Sequence, residues 1–74
     1  MCVAIPGRIV SVGERSAGSV PACLRFGDTE RIVDLAMVPE AGVGDYVIVH
    51  SGFAIRVIPE AEALRVAALF ESAG

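Results

Sequence analysis

Cys2 is the residue of this sequence best suited to chemistry. The small side chain after Met1 permits removal of the initiator methionine, which would leave a thiol two carbons from a free α-amino group. A neighbouring ammonium lowers a thiol's pKa, and the thiolate is the form that binds metal or attacks electrophiles. Soft thiolates suit iron in low-spin or cluster-like sites, among other metals. A small residue tolerated at a terminus would look the same, since chain ends are poorly ordered unless something ties them down. Ile5-Pro6-Gly7 can do that tying, with Ile5 as an anchor in the domain and Pro6 as a stiff exit.

His50, followed by Ser51-Gly52-Phe53, is the only histidine, so any imidazole ligand or proton acceptor must be this one. A strand-end histidine held by hydrogen bonds for structural reasons is the alternative. Gly52 suits a turn that requires positive φ, and Phe53 suits core or rim packing. Cys23 falls with Arg25 on the polar side of its segment, either as a bystander or as a redox partner for Cys2, and the spacing offers no CxxC mechanism. Asp34 is expected to organise a strand end and Asp45 to shape the turn before Tyr46. Two cysteines and one histidine are too few for a closed four-ligand zinc site. No glycine-rich phosphate loop precedes a helix, and no Ser/His/Asp arrangement can be assembled from local signals.

The elements that must position these residues are short. Turn signals at 13–18, at Gly27-Asp28 and at 39–45 separate runs rich in valine and isoleucine. Strands are predicted at 8–12, 19–26, 29–35, 46–50 and 54–58. In the second, Val20, Ala22, Leu24 and Phe26 alternate with Ser19, Pro21, Cys23 and Arg25, the period of a half-buried strand. Pro21 cannot donate to a ladder, which predicts an edge strand or a bulge there. The fourth and fifth runs are apolar on both faces, which predicts central positions for them. From Glu60 the period becomes helical, with Ala63, Val66, Ala67 and Phe70 on one stripe, Glu60 and Glu71 at its margin, and Leu64 and Leu69 outside it. Pro59 suits a first helical position. Five strands and a helix predict a mainly β, five-stranded OB-like Greek-key barrel over about 1–58 with a C-terminal α-helix over about 59–72. The helix is expected to close one open end of that barrel, and an SH3-like barrel is the alternative.

Composition narrows the function classes. The chain has 74 residues, enough for one domain with few residues to spare for walling a deep site. At 54% hydrophobic and 20% charged it is not a disordered tail. The longest uncharged stretches, such as 46–55, fall short of the roughly 20 residues that span a bilayer, and the opening lacks the basic start and long apolar core of a signal peptide. A cytoplasmic protein with no membrane contact is expected. The net charge is −3 and the six basic residues, all arginine, are scattered. Nucleic-acid binders concentrate positive charge on one face. Three phenylalanines and one tyrosine also make a poor stacking platform for bases.

The opening Met1-Cys2-Val3-Ala4-Ile5-Pro6-Gly7-Arg8-Ile9 resembles the N-terminal signature of the HypC/HupF hydrogenase-assembly chaperones. Gly44-Asp45-Tyr46-Val47-Ile48-Val49-His50-Ser51-Gly52-Phe53-Ala54 is a second match, and Val33-Asp34-Leu35 and Glu60-Ala61-Glu62-Ala63 also resemble the family, in the same order along the chain. The resemblance implies a non-enzymatic chaperone in the maturation of nickel–iron hydrogenases. It would carry iron as a transient Fe(CN)2CO unit from a complex with HypD, an iron–sulfur scaffold protein, to the hydrogenase large-subunit precursor. It further implies that Cys2 holds the iron, that His50 is implicated with it, and that Cys2, Val3, Ala4, Ile5, Pro6, His50, Gly52 and Phe53 meet the partners. Cyanide and carbon monoxide would fill most of the iron's coordination, so few protein ligands are needed. Two other classes stay open on the residues alone: a small OB-type nucleic-acid-binding module, and a thiol redox protein using Cys2 and Cys23.

Overall fold

Alternating apolar positions build the barrel wall. Ile9, Ala22, Leu24, Val33, Val47 and Ala54 are buried and belong to one core, while Arg8, Arg25 and Ile32, on the opposite face of their strands, are exposed. The computed structural model describes residues 6–73, as β1 (Pro6–Val12), β2 (Pro21–Phe26), β3 (Thr29–Asp34), β4 (Tyr46–His50), β5 (Phe53–Ile58) and α1 (Glu60–Ala73). The strands close in the order β1-β2-β3-β5-β4, with β4 returning to β1. Every pairing is antiparallel except β3 with β5, which run parallel and meet only at Asp34 and Phe53. This is the expected mainly β, OB-like Greek-key barrel with a C-terminal helix.

Two expectations about strand placement do not hold. β2 is not an edge, because β1 and β3 flank it on both sides. Pro21 is tolerated as the first residue of the strand, where a missing donor costs little, and its carbonyl accepts a hydrogen bond from Gly13 N–H at 2.7 Å. The bulge in this pair falls on β1, where Val10 is the extra residue between Ile9, opposite Leu24, and Ser11, opposite Cys23. In a closed barrel β4 and β5 are no more central than the rest.

Among the described side chains none from the helix joins the core cluster, so the expected closure of a barrel end by the helix is not seen there. Only Pro59 separates β5 from α1, and the helix lies against β1. There Ala63 and Ile58 bury each 4% exposed or less, yet outside the core cluster, and Ala63 and Leu64 line a cleft with Pro6, Arg8, Arg25 and Tyr46. Ala63 and Val66 are buried and half-buried, as the helical stripe predicts, and Leu64 and Leu69 are exposed. The side chains of Ala67 and Phe70, assigned to that stripe, and of Glu71 at its margin lie outside the described ones. The plug is instead the connection between β3 and β4, which carries Leu35 and Val38 into the core. Successive turns fold it tightly: Val38 N–H donates to Leu35 O at 2.9 Å, Ala41 N–H to Val38 O at 3.0 Å, and Asp45 N–H to Gly42 O at 3.0 Å.

Candidate functional site

β1 and β4 lie side by side and antiparallel, with Pro6 beside Ile48 and Arg8 beside Tyr46. The start of β1 therefore lies at the same end of the wall as the close of β4, where His50 stands. Gly7 makes room for a different neighbour of β1, the Phe26 ring of β2. A Cβ at that position would lie 2.6 Å from two ring carbons of Phe26, so only glycine lets β1 run this close. Met1, Cys2, Val3, Ala4 and Ile5 lie outside the described residues.

His50 ends β4 and pairs with Phe53 across a two-residue turn. Both turn residues have positive φ, 55° at Ser51 and 83° at Gly52, as in the type I′ hairpin whose twist matches its strands. The glycine expected for this purpose is in place, and Ser51 shares the left-handed conformation. His50 is exposed, with Ser51 Oγ 3.3 Å from its Nδ1. Among the described residues its Nε2 has no hydrogen-bond partner, which leaves one nitrogen able to meet a metal or a partner protein. Phe53, 40% exposed, is rim rather than core, and Ile55 of the same strand is also exposed.

Asp34 organises the neighbouring strand end, as expected, and reaches further than the local sequence indicates. Its carboxylate accepts hydrogen bonds from Val20 N–H at 3.0 Å, Ala36 N–H at 2.9 Å and the Ser19 hydroxyl at 2.9 Å. The two backbone donors, with the hydroxyl behind them, hold this carboxyl below the ordinary aspartate range. Its own N–H donates to Gly52 O at 3.0 Å, joining β3 to the His50 turn. Sequence reasoning missed this link. Ser-Gly between two apolar runs signals the hairpin, but no local signal shows which strand end receives it. Asp45 shapes its turn as expected, accepting from Gly42 N–H at 2.9 Å.

Cys23 is half-buried on the outer wall of β2, its Sγ 3.6 Å from Glu30 Oε1. Partial burial and then the Glu30 carboxylate push its thiol pKa up, so little thiolate forms at neutral pH. Glu30 is itself held below the usual carboxylate range by its ion pair with Arg25. A thiol so placed is a poor nucleophile, which counts against the redox reading. Among the described residues no group of three or more His, Cys, Asp or Glu side chains could hold a metal, and no helix is long and apolar enough to cross a membrane.

Residues 1–70 match the sequence profile of the HupF/HypC family. The chain belongs to the HupF/HypC family. It is 46% identical to hydrogenase maturation factor HypC of Synechocystis sp., over 81% of this chain and 80% of that protein. It is 40% identical to HypC of Azotobacter chroococcum, over 100% of this chain and 83% of the relative. Hydrogenase maturation factor HybG of Escherichia coli K12 is 35% identical, over 85% of this chain and 79% of HybG. The family match includes both the N-terminal cysteine segment and the His50 turn.

Proposed function

We propose that this chain is a cytoplasmic hydrogenase-maturation chaperone whose cargo is an Fe(CN)2CO unit held on Cys2. It receives the unit in a complex with a HypD-like iron–sulfur scaffold protein and hands it to the large-subunit precursor of a nickel–iron hydrogenase. It works as a carrier, not an enzyme. The observation that carries this reading is the pairing of Pro6 with Ile48, which lets the N-terminal segment start two residues short of His50 along the neighbouring strand. At about 3.3 Å per residue, His50 lies roughly 7 Å beyond Ile48. The four steps from Pro6 back to Cys2 span at most about 14 Å. These lengths support a site in which thiolate and imidazole, far apart in sequence, would meet at one iron or one partner surface.

The chemistry of the donors suits a carrier. A terminal thiol whose pKa is lowered by its own ammonium would offer iron a thiolate, and a single point of attachment would allow release. A cytoplasmic setting keeps that thiol reduced. His50 would contribute its free nitrogen, to the cargo or to the partner that delivers it. Cys2 to Pro6, with His50, Gly52 and Phe53, would form the contact surface at this end of the barrel. The test is complementation of a strain lacking its own maturation chaperone. Cys2→Ala should accumulate as a folded protein yet restore no hydrogenase activity; wild-type activity from that variant would overturn the proposal.

A further inference from the structure

The His50 turn stands at the thinnest seam of the barrel. β3 and β5 meet at one residue pair, Asp34 with Phe53, and the exposed His50 ring has, among the described residues, only Ser51 Oγ as a hydrogen-bond neighbour. Ser51 is held at a φ of 55°, a conformation L-residues disfavour, and the turn has a support from outside the hairpin. That support runs through Asp34. Its N–H donates to Gly52 O, and its carboxylate ties the same strand end to the residues just before β2 and to the plug connection, with Oδ1 accepting from Val20 and Ala36 and Oδ2 accepting from Ser19. A further bond, Leu35 N–H to Val20 O at 2.8 Å, runs alongside.

We propose that Asp34 is a positioning residue for His50: by fixing the end of β3 it fixes Gly52, and with it the direction in which the imidazole is presented. The functional weight of this rests on the reading that the His50 turn belongs to the carrier site. Asp34 touches neither cargo nor partner, and acts through the backbone. The division of labour between its oxygens makes the idea specific. Asn at this position keeps Oδ1 for both backbone donors and changes only the Ser19 contact, whereas Ala removes all three bonds.

The experiment is NMR of the full chain with Asp34→Ala and Asp34→Asn, together with the complementation assay. His50 is the only histidine, so one imidazole correlation reports the site without ambiguity. In Asp34→Ala the amides of Ser51, Gly52 and Phe53 and the imidazole signal should shift or broaden, while Ile9, Leu24 and Val47 keep their core signals. Exchange of the amide at position 34 should speed up on the order of tenfold, the scale of one net hydrogen bond. Asp34→Asn should return all of these close to wild type. Turn and imidazole signals that coincide with wild type in a folded Asp34→Ala would overturn the proposal. If that variant does not fold, Asp34→Ser, which cannot make all three side-chain bonds, is read in the same way, and turn and imidazole signals that coincide with wild type in it would overturn the proposal. Displaced turn signals with full hydrogenase maturation would uphold the positioning and count against the carrier reading of His50.

Discussion

Gly7→Ala should destabilise the barrel by about 1–3 kcal/mol, the usual penalty for forcing an extra carbon into a filled site. The backbone at Gly7 is not left-handed, so the demand for glycine is one of space. A Cβ there would sit 2.6 Å from Phe26 Cε1 and Cζ and 3.1 Å from Leu24 Cδ2. Carbon–carbon contacts settle at about 3.5–4.0 Å, so the ring must retreat by about 1 Å. Leu24 is fully buried and Phe26, half-buried, is packed against the core, so the ring can retreat only by giving up part of that packing. For a domain of this size each 1 kcal/mol lowers Tm by about 4–8 °C. Urea unfolding followed by circular dichroism should show a lower midpoint with an unchanged slope. Phe26→Leu withdraws the two obstructing ring carbons, so in that background the same glycine substitution should cost at least about 1 kcal/mol less, a coupling expected of side chains in contact. A stable Gly7→Ala, or an equal cost in both backgrounds, would refute the steric account of how β1 is laid down. On the proposed function the consequence reaches the site, because this contact lies one residue from Pro6, where β1 begins.

Three further outcomes are expected. His50→Ala should change stability by no more than about 0.5 kcal/mol, as for an exposed side chain, while hydrogenase maturation falls; a large loss of stability would make His50 structural. Asp34 and Glu30 both have depressed carboxyl pKa values, so they contribute stability that is present at neutral pH and lost as pH falls from about 4 through their folded values. Urea midpoints measured down that range should fall less steeply in Asp34→Asn, and an unchanged slope would contradict the hydrogen-bonding seen at Asp34. Cys23→Ser should support full maturation, and the Cys23 thiol should alkylate more slowly at neutral pH than a cysteine in an unstructured peptide; a reversible Cys2–Cys23 disulfide in the working protein would restore the redox reading.

Much of the barrel was legible because local patterns encode it. Ala22 and Leu24 alternate with Cys23 and Arg25, Gly27-Asp28 and Ser51-Gly52 mark two-residue turns, and the period changes after Pro59. Each of these signals is contained within a few residues. What was not legible depends on long-range packing. Pro21 was compatible with an edge, a bulge or a strand start, and only closure of the barrel on both sides of β2 decides among them. The helix pattern showed an apolar stripe without saying what it covers. The chain gave the plugging role to Leu35 and Val38, in a connection whose sequence reads as turns. At the site, His50 and Gly52 could be singled out by type and spacing. The hold that Asp34 exerts on their turn could not, since it is a backbone hydrogen bond between segments distant in sequence. Gly7 likewise gave no sign that its partner would be Phe26.

The central claim, that Cys2 carries an iron unit between proteins, is tested most directly by infrared spectroscopy. The protein would be captured through a C-terminal tag, leaving Cys2 free, from cells actively making hydrogenase. The account predicts cyanide and carbonyl stretching bands in the eluate, together with a HypD-like protein or a hydrogenase large-subunit precursor, and loss of the bands in Cys2→Ala. An eluate from such cells with neither bands nor those partners, or bands that persist in Cys2→Ala, would contradict it.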